Sequence, residues 1–313
     1  MQGKDLLSIA NLSAQDIQVL ISDTIDLKSR GRGNALSGKA LALLFEKPSL
    51  RTRVSFEMAM QQAGGSAIYL SPAEVGLGQR EAVGDIARVL SRYVDAIAAR
   101  TFSQRTLEIL GAQSDIPVIN ALSDKEHPCQ ALADLVTIRE KKGELRGLTL
   151  AYIGDGNNVA TSLMLAAALA GMNFRIAAPE GYGIPAETLE KGEALAAENG
   201  GTISCTTEPE QAAEDADIIY TDVWTSMGAE AEAEVRNRIF AGYQVNENLI
   251  SLAAEDAILM HPLPAHHGQE VAEGILYSPI SVVFDQAENR MHLARALLTQ
   301  MLGGLEFPLS GWA

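Results

Sequence analysis

Two cysteines in 313 residues, Cys129 and Cys205, are too few for a disulfide framework, and no paired-cysteine metal motif accompanies them. That scarcity points to a reducing, cytoplasmic setting. Positive charge is scarce as well: 24 lysines and arginines stand against 40 acidic residues, a formal net charge of -16. Nucleic acid and anionic membrane surfaces are repelled by most faces of such a chain. A small anionic substrate therefore needs a locally basic pocket. Long apolar runs are missing too; the longest, around Leu163 to Met172, is too short to span a bilayer and is Ala-rich like a buried helix. The stretch Met1 to Ser13 scatters polar residues among its leucines and lacks the continuous apolar region of a secretory signal. Internal repeats and low-complexity tracts do not occur.

What is present suffices for two domains with real cores: 47% hydrophobic residues beside 20% charged ones. Apolar β-type runs alternate with amphipathic helical patterns: 41–45, 67–70, 96–99, 118–119, 148–153, 174–177, 218–221 and 257–260. This alternation predicts an α/β protein of two doubly wound parallel-sheet domains. The charged, glycine-punctuated segment Lys141 to Gly147 is the best boundary, giving domains 1–142 and 143–286. A last β-type run is expected at Ser281 to Phe284, and a terminal helix at Arg290 to Leu302. The segment 287–313 is expected to pack back on the first domain.

Chemistry-bearing residues cluster where strands end. Ser49-Leu50-Arg51-Thr52-Arg53 follows the run 40–44 and opens a helical pattern, as a phosphate cradle does: a serine cap, outward amide protons and two fixed charges. An N-cap with solvated arginines is the plainer reading of that pentapeptide alone. His127-Pro128-Cys129-Gln130 starts another helix, placing a histidine and an amide three residues apart, where both can donate to a carbonyl or developing oxyanion. Cys129 as a nucleophile has no partner base indicated by spacing.

Gly154-Asp155-Gly156-Asn157-Asn158-Val159 is nearly a dinucleotide fingerprint, with Glu180 near the place of an acidic ribose ligand. Val159 breaks it at the third glycine. A nicotinamide-dependent dehydrogenase is therefore a remote alternative. Asp222 to Gly228 follows the run 218–221; Asp222 can hold an ammonium, and Ser226 a carboxylate or amine. In His261-Pro262-Leu263-Pro264-Ala265-His266-His267 two prolines fix the backbone, and the histidine spacing matches no metal pattern. Arg290 opens the terminal helix, where surface ion pairing is the plain reading.

Taken in order, Phe45 to Glu57, Ala87 to Arg92, His127 to Gln130, Gly154 to Asn158, Asp222 to Gly228 and Val283 to Arg290 resemble the aspartate/ornithine carbamoyltransferase family over nearly the whole chain. The segment Asp222 to Gly228 resembles its ornithine branch. The resemblance implies transfer of the carbamoyl group from carbamoyl phosphate to the δ-amine of L-ornithine, giving L-citrulline and phosphate in arginine metabolism. No metal or organic cofactor, nucleic acid or membrane is implied. By resemblance, 1–142 with 287–313 is the carbamoyl phosphate-binding domain and 143–286 the ornithine-binding domain, with the active site in the cleft between them. Ser49, Leu50 through its amide, Arg51 and Thr52 would bind phosphate, with Arg290 adding charge. Arg100, His127 and Gln130 would orient the carbamoyl group. Asn158, Asp222, Ser226 and Met227 would hold ornithine, Asp222 counting also among the catalytic residues.

The chain departs from the family pattern twice. The ornithine branch usually reads His-Cys-Leu-Pro where this chain has Pro262, so only nearby carbonyls, such as that of Leu263, face the donor and the reacting amine. Another acceptor (putrescine, an N-acylated ornithine or aspartate) is therefore the nearer alternative, and a catalytically silent binding subunit a further one. In the loop Val75 to Glu81, Gly76 replaces a polar residue that in relatives reaches a neighbouring subunit's site; Gln79 or Arg80 is the candidate substitute. A homotrimer, or a multiple of one, is implied.

Overall fold

The computed structural model describes residues 1–78, 80–225 and 230–303. It divides into two units: unit 1 comprises Met1–Asn11, Val19–Asp124 and the chain from Arg290 onward, and unit 2 comprises Leu12–Gln18 and Lys125–Asn289. Unit 1 carries β1 (Ala40–Phe45), β2 (Ser66–Leu70), β3 (Ala96–Arg100) and β4 (Val118–Leu122) in the order β2-β1-β3-β4. Unit 2 carries β5 (Thr149–Ile153), β6 (Asn173–Ala177), β7 (Thr202–Thr206), β8 (Ile218–Thr221) and β9 (Ile258–Met260) in the order β7-β6-β5-β8-β9. Every pairing is parallel. The expected pair of parallel α/β sheets is therefore what the chain forms.

Strands buried on both faces must be apolar throughout. β3, β4, β5 and β8 are buried along their whole length. In unit 1, Ala42, Leu44, Ile97, Ala99 and Val118 pack with Leu107 and Leu110. In unit 2, Ile153, Ile219 and Leu259 pack with Trp224, Phe240 and Val271. Among the described residues no helix is long and apolar enough to cross a membrane.

One strand is added to those expected, and one expected strand is corrected. β7 is an edge strand of mixed exposure, so its sequence, Thr-Ile-Ser-Cys-Thr, lacks the apolar run that reveals a buried strand. The run Ser281 to Phe284 is not a strand: Ser281 makes one bridge to Leu259, and a helix spans Val283–Leu302. Val282 bonds Leu259 through its N–H, then its carbonyl accepts from Gln286 N–H at 2.8 Å, so one residue ends the sheet contact and opens the helix.

Strand order switches direction between β1 and β3 in unit 1, and between β5 and β8 in unit 2. At such points successive crossovers diverge and leave a crevice at the carboxyl ends of the strands. Phe45 pairs with Arg100, and Ile153 with Thr221. The residues immediately following these pairs are therefore neighbours in each unit, and Glu46, Gly154 and Asp222 among them belong to the motifs singled out above.

Gly154-Asp155-Gly156-Asn157 turns tightly at the second of these points. Gly156 N–H donates to Tyr182 O at 2.7 Å, and a Cβ on Gly156 would lie 2.3 Å from the Gly183 carbonyl carbon and 2.4 Å from Ile184 N. Gly156→Ala is expected to destabilise unit 2 by roughly 1–3 kcal/mol or more, because backbone on both sides has no rotamer with which to give way. A thermal midpoint equal to that of the wild type would contradict this.

Candidate active site

In unit 1, Ser49 is the N-cap of the Leu50–Gln62 helix, with extended backbone and its Oγ accepting from Thr52 N–H at 3.4 Å. Ser49 Oγ also donates to Thr52 Oγ1 at 3.0 Å, and Arg290 Nη2 donates to the same Thr52 oxygen at 3.0 Å. Leu50 begins the helix with its side chain exposed, so its amide proton has no partner within the helix. Arg51 is half-buried, and Arg100, at the end of β3, is buried. Burial pushes the Arg100 guanidinium down to about 10, with Arg290 and Arg51 next among the causes. Three arginines therefore repel one another across one small volume. Arg100 Nε is buried and has no hydrogen-bond partner among the described residues.

Arg53, expected to add charge here, is engaged elsewhere. Its Nε pairs with Glu57 at 2.9 Å and its guanidinium lies 4.1 Å from the centre of the Tyr69 ring. Lys47, which the sequence reading passed over, joins the cluster instead. Its ammonium is pushed below the ordinary lysine value by burial and then by Arg100. Its position just before Pro48-Ser49, at the mouth of β1, was the available signal.

In unit 2, His127 is the N-cap residue of the Pro128–Lys142 helix; its N–H donates to Ser162 Oγ at 2.9 Å, and Ser162 donates to Glu126 at 3.0 Å. His127, Cys129 and Gln130 are all buried. Gln130 Nε2 donates to Asp134 Oδ1 at 2.8 Å, one helical turn on, while Gln130 Oε1 is buried with no partner among the described residues.

Beyond β5, the paired asparagines divide their work. Asn157 caps the Asn158–Leu169 helix by accepting from Val159 and Ala160 N–H, and its Nδ2 donates to Asp222 Oδ2 at 2.9 Å. Asn158 is the first residue of that helix and half-exposed. Asp222, just after β8, also accepts from Val223 N–H at 2.8 Å. Burial raises its pKa against the opposing pull of His261 and Asn157. Gln79, Ser226 and Met227 lie outside the described residues.

The His261–Leu263 loop follows β9. His261 Nδ1 accepts from Leu263 N–H at 2.9 Å, which leaves the ring proton on Nε2, 3.2 Å from Glu270 Oε1. Burial raises the Glu270 pKa, but hydrogen bonds from His261 and the His266 N–H outweigh it and hold the carboxylate below its ordinary value. Pro262 is buried, and Leu263 is held at φ 57°. Among the described residues no cluster of three or more His, Cys, Asp or Glu is arranged to hold a metal ion. The dinucleotide reading also meets an obstacle in shape: the glycine that would admit a pyrophosphate admits Gly183 and Ile184 instead.

A further ion pair lies beside this site. Arg236 Nη2 donates to Asp155 Oδ2 at 2.8 Å, and the guanidinium lies 5.0 Å from the Tyr182 ring and 5.7 Å from Phe240. Burial lifts the Asp155 carboxyl to about 6; Arg236 opposes, and Asp222 and Glu232 reinforce the rise.

The amino-terminal part of the chain, residues 4–140, matches the family model described as aspartate/ornithine carbamoyltransferase, carbamoyl-P binding domain. Residues 146–301 match its Asp/Orn binding domain. An ornithine carbamoyltransferase of Bacillus subtilis is 51% identical over 302 residues, covering 96% of this chain and 95% of that protein. An anabolic ornithine carbamoyltransferase of Pyrococcus furiosus is 48% identical, covering 98% and 99%. A solved structure of ornithine carbamoyltransferase from Pyrococcus furiosus superposes with a TM-score of 0.94 at 48% identity, covering 97% of this chain and 99% of that one.

Between the ordinary aspartate value of 3.8 and about 6, folded Asp155 keeps a proton that the unfolded chain has released. Its contribution to stability therefore falls as pH rises through that window and is flat above it. Relative to Asp155→Asn, the wild type is expected to lose roughly 2–3 kcal/mol across the window. Chemical denaturation of both proteins over a pH series measures the difference, and a pH-independent difference would refute the assignment.

Proposed function

The chain belongs to the aspartate/ornithine carbamoyltransferase family, and from that membership we propose that it transfers the carbamoyl group of carbamoyl phosphate to the δ-amine of L-ornithine, giving L-citrulline and phosphate. The observation that carries the donor half is the cluster of Arg51, Arg100 and Arg290 around the Ser49–Thr52 helix start. Cations that repel one another in a chain of net charge -16 are stabilised by a phosphate dianion. The anabolic name of one relative supports the biosynthetic direction and a place in arginine biosynthesis.

In this reading Ser49, the Leu50 amide, Arg51, Thr52 and Arg290 hold the phosphate. Arg100 and His127 donate to the carbamoyl oxygen, and Gln130 accepts from the carbamoyl nitrogen. The amino-acid end of ornithine falls to Asn158 and Asp222, with Ser226 and Met227. Ornithine's neutral δ-nitrogen attacks the carbamoyl carbon, the carbonyl oxygen gathers negative charge, the carbon–oxygen bond to phosphate breaks, and a proton leaves the nitrogen. Donors fixed around that oxygen act most strongly when the charge has developed. Pro262 offers neither thiol nor amide proton, so carbonyls such as that of Leu263 accept hydrogen bonds from the amine, and the departing phosphate takes the proton. The same site is expected to recur in a homotrimer, or a multiple of one, in the cytoplasm.

A free aliphatic amine titrates near ~10.4, so most ornithine arrives protonated at neutral pH. Turnover is therefore expected to rise toward alkaline pH; a flat profile in both saturation and turnover would contradict that step. Arg100→Met is expected to lower turnover by roughly 10²–10³-fold, the usual cost of one oxyanion donor, with little change in thermal midpoint. Carbamoylated product measured over ornithine, putrescine, N-acetylornithine and aspartate tests the acceptor directly, and a preference for any of the last three would overturn ornithine.

A further inference from the structure

We propose that Asp134 is a positioning residue that fixes which atom of the Gln130 amide faces the carbamoyl group, and that ties this amide to the His261–Leu263 loop. The proposal rests on the carbamoyl-transfer reading above. Asp134 is fully buried in the Pro128–Lys142 helix and lies four residues after Gln130 on the same face. Its Oδ1 accepts from Gln130 Nε2 and from Gln286 Nε2, both at 2.8 Å, and its Oδ2 accepts from Tyr220 O–H at 2.9 Å.

An ionised carboxylate only accepts hydrogen bonds. Each glutamine turns its nitrogen toward Asp134 and its oxygen away. For Gln130 the oxygen is then left buried and without a partner among the described residues, an arrangement that is costly until a donor arrives. The carbamoyl nitrogen carries two N–H donors. For Gln286 the oxygen accepts from His261 N–H at 2.9 Å, next to Pro262 and Leu263. One carboxylate thus orders an amide oxygen and, through a second amide, the start of a carbonyl-bearing loop. The Tyr220 hydroxyl stays a donor, because burial first and Asp134 next raise its pKa well above the ordinary tyrosine value.

Asp134→Asn replaces the acceptor with a group that also donates, which lets Gln130 reverse and present N–H to N–H. Steady-state kinetics on the full chain are expected to show KM for carbamoyl phosphate raised roughly tenfold or more, and KM for ornithine raised by a smaller factor through the Gln286 link. Tyr220→Phe removes a bond to the same carboxylate without freeing Gln130; its thermal midpoint should drop comparably and its KM for carbamoyl phosphate stay near that of the wild type. In a Gln130→Ala background, Asp134→Asn should raise that KM no further. Equal KM effects for Asp134→Asn and Tyr220→Phe, or additivity with Gln130→Ala, would overturn the proposal.

Should Asp134→Asn fail to fold, Gln130→Glu decides the matter. When its new carboxyl is protonated it donates to Asp134 and still offers a carbonyl oxygen, so its KM for carbamoyl phosphate should fall toward acidic pH relative to the wild type. A KM ratio independent of pH would overturn the assignment. A wild-type chain that carbamoylates no amine removes the functional reading and this inference together, whereas an active wild type with an unaltered Asp134→Asn removes the inference alone.

Discussion

Unit 1 is organised around like charges held together. Arg51, Arg100 and Arg290 reach one place from the first turn of a helix, the end of β3 and a helix that starts some two hundred residues later in the chain. In water such guanidinium groups would separate; here the β1–β3 register, the Ser49 cap and the shared Thr52 hydroxyl leave them no room to do so. The unfavourable Coulomb energy is built into the folded state before any ligand arrives. Under the proposed reading a dianion would release it, with little of the gain lost to rearrangement.

Unit 2 has the opposite character. Four of its buried carboxylates are held by neutral donors or by one cation: Asp134 by two amides and a phenol, Asp222 by Asn157 and a backbone N–H, Glu270 by His261, Asp155 by Arg236. Neutral donors fix direction without cancelling charge. Asp222 accordingly keeps its attraction for an ammonium while its oxygens are locked in place, which suits recognition of an amino-acid acceptor.

The sequence exposed what depends on local pattern. Fully buried parallel strands announce themselves as apolar runs, and Ser49 and the His127-Pro128 pair show their helix starts through residue type alone. Elements whose identity depends on remote contacts stayed hidden. β7 is polar because it is an edge. Val282 and Val283 look like strand residues, yet one ends the sheet contact and the other begins a helix whose Gln286 and Asn289 bury polar side chains against the Pro128–Lys142 helix. Asp134 and Tyr220 carry no motif, and Gln286 stands in a matched segment that gives no sign of its role, since their meaning lies in bonds spanning 86 and 152 residues. Arg53 misled for the converse reason: it stands inside the motif, but Glu57 and Tyr69 take it away.

Pro262 also decides how this protein meets oxidants. A cysteine in that loop would place an oxidisable thiol there, open to peroxide or disulfide reagents. Proline has no such chemistry. The chain's two sulfhydryls lie elsewhere, Cys129 buried in a helix and Cys205 on the edge strand β7, where burial and Glu193 raise its pKa and make it a poor nucleophile at neutral pH. The His261–Leu263 loop carries no thiol for the redox state of its surroundings to change.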